Sequence, residues 1–280
     1  MSLRVVTDST CDIPEELQEE FGITVIPAHI NIGNDSYLDG VDLSRAALYE
    51  GLPHFNEHPT TAAPSPGTFT ETYNQLASEG ATEIISIHVA ARLSGMLNAA
   101  RVGSEAADNV SVTLFDSEQL TMGLGLMVIA AAKAARDGQS MDDIVAMLES
   151  RSQRTYVFGL LDTLEYLRRS GRVNWAVFGI GTLLRIKPLI KVHKAEIEML
   201  DKVRTSKKAL DRFIELVSDL APFEDIALLH THSLDKLDSF RERMQFLIPN
   251  GVSVPAVELT PALGVHIGPG GLGIAFTTIE

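Results

Sequence analysis

The chain has one cysteine, Cys11, in 280 residues. No intramolecular disulfide can form, so nothing in the fold rests on covalent staples. Cys11 lies between Asp8 and Asp12, and neighbouring carboxylates raise a thiol pKa, the wrong direction for a nucleophile. Long apolar runs are also missing. The most apolar stretch, Met122 to Ala132, stops at Lys133, is too short to span a bilayer, and predicts a buried helix. The chain does not open with a basic segment leading into an apolar run, which predicts no signal peptide and a cytoplasmic protein. Basic runs extend no further than Arg168-Arg169 and Lys207-Lys208 in a chain of net charge -14. That balance argues against attraction to nucleic acid or anionic lipid. No histidine cluster has metal-ligand spacing: His230 and His232 share one face of a strand without a third ligand. A G-x-S-x-G elbow is absent as well.

What is present describes an ordinary globular chain, 45% hydrophobic and 21% charged, long enough for one large or two ordinary domains. Strands alternate with helices through the first half: Leu3–Thr7, Ile23–Ile26, Glu83–Val89 and Val110–Phe115 against helices at Pro14–Glu20, Leu43–Leu52, from Pro66, Ser94–Ala107, Glu118–Arg136 and Ser140–Ser152. A hairpin turns at Gly33-Asn34-Asp35. This alternation predicts a mainly parallel sheet covered on both faces. The second half reads differently. It has a strand at Thr155–Gly159, helices at Leu161–Arg169 and Asn174–Gly181, and an antiparallel pair Lys187–Val192/Glu196–Val203. Capped helices begin after Thr205 and Ser233, and strands follow at Ile226–His230, Val254–Leu259 and Ile274–Thr278. The expected architecture is a two-domain α/β chain. Residues 1–153 form a three-layer α/β/α domain with a mainly parallel sheet, and residues 154–280 an α+β domain with a mixed or antiparallel sheet.

Several polar junctions fall where ligands bind such sheets, at the carboxyl ends of strands. Thr7 to Pro14 packs hydroxyls and carboxylates directly after the first strand. Thr61, before Pro64-Ser65-Pro66-Gly67, sits in a rigid entry to a helix and reads either as part of a connector or as a hydroxyl for an anion. Ser94, in Leu93-Ser94-Gly95, reads as an N-cap or as a donor to an anion at a helix start. Gly123 and Gly125 each cost a helix roughly 1 kcal/mol, which implies close packing there. Arg172 reads as a surface charge or as an arginine aimed at phosphate. The glycine-rich run Gly264 to Gly273 lacks the Lys and Ser/Thr of a P-loop, and within it His266 reads as a structural side chain or a proton carrier.

The order of these segments resembles the DegV family. Thr7 to Pro14 matches its T-D-S-T-x-D-[IL]-P opening. Thr61 with Pro64 to Gly67, Leu93 to Gly95, Asp116 to Gly123, Gly171-Arg172-Val173, Lys187 to Ile190 and His266 to Gly270 follow in the family's order. Ala62 and Ala63 replace a polar pair, Thr121 a serine, and Ser170 a glycine. The resemblance implies a long-chain fatty acid in an apolar tunnel between the two domains. It implies that Thr61 and Ser94 hold the carboxylate, that Arg172, His266 and Ser9 lie at the mouth near a partner or phosphate, and that Gly95, Gly123 and Gly268 give backbone to the pocket. It further implies no cofactor, no metal and no catalytic residue of the chain's own. The protein would be the lipid-binding subunit of a fatty acid kinase, whose separate catalytic subunit makes an acyl-phosphate for phospholipid synthesis. The alternative is a self-contained enzyme, either a Ser/Asp/His hydrolase or a relative of dihydroxyacetone kinases using His266.

Overall fold

The structure is a computed structural model and describes residues 2–173, 186–248 and 254–280. Strands Leu3–Asp8, Ile23–Ile26, Glu83–His88 and Ser111–Asp116 form one sheet, ordered second, first, third, fourth, with every pairing parallel. The inner strands are near-continuous apolar runs. Val5, Val6, Ile84, Ile85 and Ile87 are all buried, as a sheet covered on both faces requires.

A six-stranded sheet gathers the second half. Its order is Glu196–Val203, Lys187–His193, Thr155–Leu160, Leu272–Thr278, Phe223–His230 and Ala256–Glu258, antiparallel except for the last pair. Side chains alternate between its faces. Phe158, Leu160, Leu228, Ile274 and Phe276 pack in one core with Phe213 of the helix Ser206–Ser218 and Phe240 of the helix Leu234–Met244. Val157, Val192, Ala227, Leu229 and Ala275 point the other way, into the same core as the parallel sheet.

The helix Thr121–Arg136 lies in that shared core, buried along most of its length. Two glycines allow the fit. A Cβ on Gly123 would lie 2.7 Å from Val157 Cγ2, and one on Gly125 would lie 2.5 Å from the backbone oxygen of Cys11. The close packing expected from their cost is therefore against a strand and a loop.

The sequence reading holds for most element types and differs at particular places. Thr60–Ala62, read as a connector, is a strand paired with His29–Asn31 in a small three-stranded sheet. Pro261–Ile267 is a helix with Pro261 in its first turn, so His266 is helical and the glycines follow it. The helix read from Ser94 runs over Met96–Ser104 with Gly95 at its N-cap. Thr205 and Ser233 precede their helices without making side-chain caps. The helix expected at Asn174–Gly181 lies outside the described residues.

Candidate functional site

A cavity of about 210 Å³ opens between the carboxyl ends of the parallel strands and the inner face of the six-stranded sheet. Val89, Leu93, Met96 and Leu120 wall it from the first half, and Val157, Ile190, Leu229 and Leu263 from the second. The lining is mostly apolar. Of the residues singled out in the sequence, Thr61, Ser94, Gly95, Arg172 and His266 line it. Ser9, Gly123 and Gly268 do not. Ser9 donates to Asp39 at 2.6 Å and accepts from the Ala28 N–H. Gly123 is held against Val157, and Gly268, with φ of 74°, lies where a Cβ would strike the Tyr166 ring. Thr10, Thr121 and Thr231, which the sequence did not single out, line the cavity as well.

Most lining hydroxyls are committed internally. Thr10 donates to Asp8, Thr121 to Asp12 and Ser170 to the Leu167 carbonyl, while Thr231 accepts from the Gly271 N–H and among the described residues its own hydrogen meets no acceptor. Thr61 and Ser94 are likewise open as donors. Ser94 Oγ accepts a long bond from the Met96 N–H at 3.3 Å, and among the described residues its own hydrogen meets no acceptor. Thr61 Oγ1 lies 2.9 Å from His266 Nε2. Burial first, then Arg172 and His58, push the His266 pKa down to about 3, so its imidazole is neutral near pH 7. Its Nδ1 is buried without a partner among the described residues. With Nε2 protonated, His266 donates to Thr61 and leaves the Thr61 hydrogen free for a further acceptor.

Close enough to His266 to lower its pKa, Arg172 donates to the Ser170 carbonyl at 2.7 Å and has no carboxylate partner among the described residues. Helix Met96–Ser104 begins after Ser94 and its N-cap Gly95, and although Ser94 Oγ takes the Met96 N–H, the following N–H groups and the dipole favour negative charge there. The cavity therefore gathers hydroxyl donors, a neutral imidazole, a helix start and a guanidinium without a carboxylate partner among the described residues around an apolar chamber.

The structure also assembles an aspartate, a histidine and a serine in line. Asp8 Oδ2 lies 2.9 Å from His88 Nδ1, His88 Nε2 lies 2.7 Å from Ser86 Oγ, and Tyr73 OH lies 2.8 Å from Ser86. Asp8, Ser86 and His88 are each 0% exposed, and the Ser86 hydroxyl is shared between His88 and the buried Tyr73 phenol. A nucleophile must be reached to react, so this arrangement argues for structure and against the hydrolase alternative.

A second buried polar knot joins the two halves. Asp12, with φ of 53°, accepts from the Thr121 hydroxyl at 2.6 Å and the Thr260 N–H at 2.7 Å. Asp39 accepts from Ser9, from the Thr260 hydroxyl and from the Ala262 N–H. Burial raises the Asp12 pKa from 3.8 to about 7 against the lowering effects of its hydrogen bonds and Arg45. A raised carboxylate pKa means that the folded state holds a proton which the unfolded state has lost. This contribution is full below about pH 4 and is lost as pH rises through about 7. It amounts to something on the order of 4 kcal/mol at full titration. Asp12→Asn, which tolerates the left-handed backbone, is expected to flatten this part of the profile. Denaturant melts from pH 4 to 8 should show wild type losing stability relative to the variant as pH rises. Parallel profiles would contradict the assignment.

Among the described residues no helix is long and apolar enough to cross a membrane, and no cluster of three potential ligands could hold a metal ion. The family model described as "Uncharacterised protein, DegV family" matches residues 2–278. A DegV domain-containing protein of Streptomyces coelicolor is 35% identical over 276 residues, 98% of each chain. The crystal structure of DegV from Bacillus subtilis, described as a fatty acid binding protein, superposes with a TM-score of 0.89 at 30% identity over the full length of both chains. A DegV family protein from Thermus thermophilus, described by its fatty acid binding, superposes at 0.90 with 28% identity, again over both chains entirely.

Proposed function

The chain belongs to the DegV family, and from that membership we propose that it binds one long-chain fatty acid in the cavity and presents the carboxylate to a separate kinase. The observation that carries the reading is a mostly apolar chamber in which Thr61, held by the neutral His266, and Ser94 each keep a hydroxyl hydrogen to donate. The carboxylate accepts from both hydroxyls, and His266 orients the Thr61 hydrogen toward it. Neutral donors hold the anion without a buried salt bridge and leave an oxygen free to react. In the kinase step that oxygen attacks the γ-phosphorus of ATP brought by the partner. ADP leaves, an acyl-phosphate forms, and Arg172 faces the new charge. The chamber lies between an α/β unit of residues 1–153 and an α+β unit of residues 154–280, in a cytoplasmic protein that feeds phospholipid synthesis.

Magnitudes are compatible with this role. Each buried methylene is worth about 0.8 kcal/mol, so about fourteen give on the order of 11 kcal/mol. Association costs about 4–15 kcal/mol, so affinity depends on a preformed, dry chamber, with the head-group bonds mainly setting orientation.

Native mass spectrometry of the purified protein should show a co-purified long-chain fatty acid, and delipidated protein should rebind palmitate. Failure of delipidated protein to bind palmitate overturns the reading. Acyl-phosphate should appear only when a fatty acid kinase and ATP are both added. Its appearance with ATP alone would favour the self-contained enzyme.

A further inference from the structure

Gly159 occupies the third of six strands in the larger sheet, yet it is partly accessible where the neighbouring core positions are closed. The pairing register explains its setting. Gly159 lies opposite Gly273 on one side and Ile190 on the other, and Gly273 lies opposite Leu229. All four line the cavity, so this row of the sheet is a trough with a bare floor and two aliphatic walls.

The two glycines differ in what they require. A Cβ on Gly273 would sit 2.9 Å from the backbone oxygen of Phe158, so packing of the chain itself excludes a side chain. A Cβ on Gly159 would meet only side chains, Ile190 at 3.2 Å and Leu161 at 3.6 Å, both of them cavity walls. Gly159 does not have a left-handed backbone and forms ordinary antiparallel pairs on both sides. A strand interior disfavours glycine, and neither turn, bulge nor backbone contact asks for it here. What remains is the space itself.

We propose that Gly159 is a specificity-determining residue: its missing side chain sets the calibre of the cavity where the distal part of a long acyl chain crosses the sheet. The inference rests on the fatty-acid reading above. Ile190 and Leu161 beside Gly159 are apolar and pack in one cluster with Leu167 and Val173, and the row Ile190, Gly159, Gly273, Leu229 offers no polar side chain. The segment of ligand passing Gly159 is therefore hydrocarbon and not carboxylate. The inner face spans five strands from Ile197 to Leu229, about 19 Å at the usual strand spacing, which gives room for a long chain.

The experiment compares wild type, Gly159→Ala and Gly159→Val, each delipidated, for binding of stearate and decanoate by displacement of a fluorescent fatty acid, with thermal melts alongside. Gly159→Val should bind stearate about 30-fold more weakly and decanoate within about threefold of wild type. Its melting temperature should stay within a few degrees of wild type, the strand preference of a β-branched residue offsetting the shift that Ile190, 3.2 Å from the new Cβ, must make. Gly159→Ala should fall between and serves if the valine variant does not fold. Unchanged stearate binding, or equal loss for both acids, overturns this inference while leaving the fatty-acid reading intact. Wild type that binds neither acid overturns that reading, and the inference with it.

Discussion

Replacing Thr61 by Val and Ser94 by Ala together lowers the affinity of delipidated protein for palmitate by about a hundredfold or more. Hydrogen bonds to a charged group are worth about 1.5–3 kcal/mol each, so two give about 3–6 kcal/mol, and each 1.4 kcal/mol is tenfold. Both changes remove a hydroxyl at nearly constant shape. Thr61→Val also keeps a residue suited to the strand Thr60–Ala62. The fold should survive, with the melting temperature down by a few degrees because His266 Nε2 loses its partner. Isothermal titration with palmitate separates the contributions, and each single variant should bind about tenfold or more weakly. A double variant that loses less than fivefold would place the carboxylate elsewhere in the cavity. Palmityl alcohol supplies the control: without the negative charge it should discriminate far less between wild type and variant.

The second large effect is on stability. Asp8→Ala should cost about 3–5 kcal/mol, a large part of the 5–15 kcal/mol that holds a typical domain folded. Asp8 is fully buried and accepts from four groups: the Thr10 N–H and hydroxyl, His88 Nδ1 and the Val89 N–H. Removing it leaves all four without that acceptor in a place water does not reach. The chain continues from His88 through Ser86 to Tyr73, whose phenol is pushed up to about 12, chiefly by burial, and so stays protonated as a donor. Thr10 and Val89 also line the cavity, so ligand binding should fall with stability. Urea denaturation followed by circular dichroism measures the loss. A cost under about 1 kcal/mol would mean that the loop reorganises and the network is incidental.

How far the sequence could be read depended on where each signal lay. Pro66–Ser78 was legible because burial of one face repeats over several turns, and Thr121–Arg136 because its apolar run from Met122 to Ala132 is long enough for a buried helix and too short for a membrane span. Short elements were not. Thr60–Ala62 has three residues and pairs with a distant hairpin, so nothing local marks it as a strand. The seven residues of Pro261–Ile267 hide beside glycines, although Thr260-Pro261 was a usable start signal. Within the site, Thr61, Ser94, Gly95, Arg172 and His266 were found through the order of their segments. Local chemistry alone left each of them open to a structural reading. Ser9 lay in the right segment, but its hydroxyl is spent on Asp39. Gly159 and Gly273 carried no local signal, because their meaning depends on a register between strands more than a hundred residues apart.

The placement of the helix Thr121–Arg136 has one more consequence. It belongs to the core shared by both sheets, touching Val157, Ala227 and Ala275 on one side and the parallel strands on the other. Neither half can peel away and keep an intact interior, since each would leave with an exposed helix or without one. Unfolding is thus a single cooperative event, and amide hydrogens in this helix should report the global opening free energy, not a local one. The empty space for a ligand lies against the start of the same helix, at Leu120 and Thr121. Occupancy there is felt by the whole molecule at once: a bound molecule raises the free energy of every opening that breaks this helix out of its place.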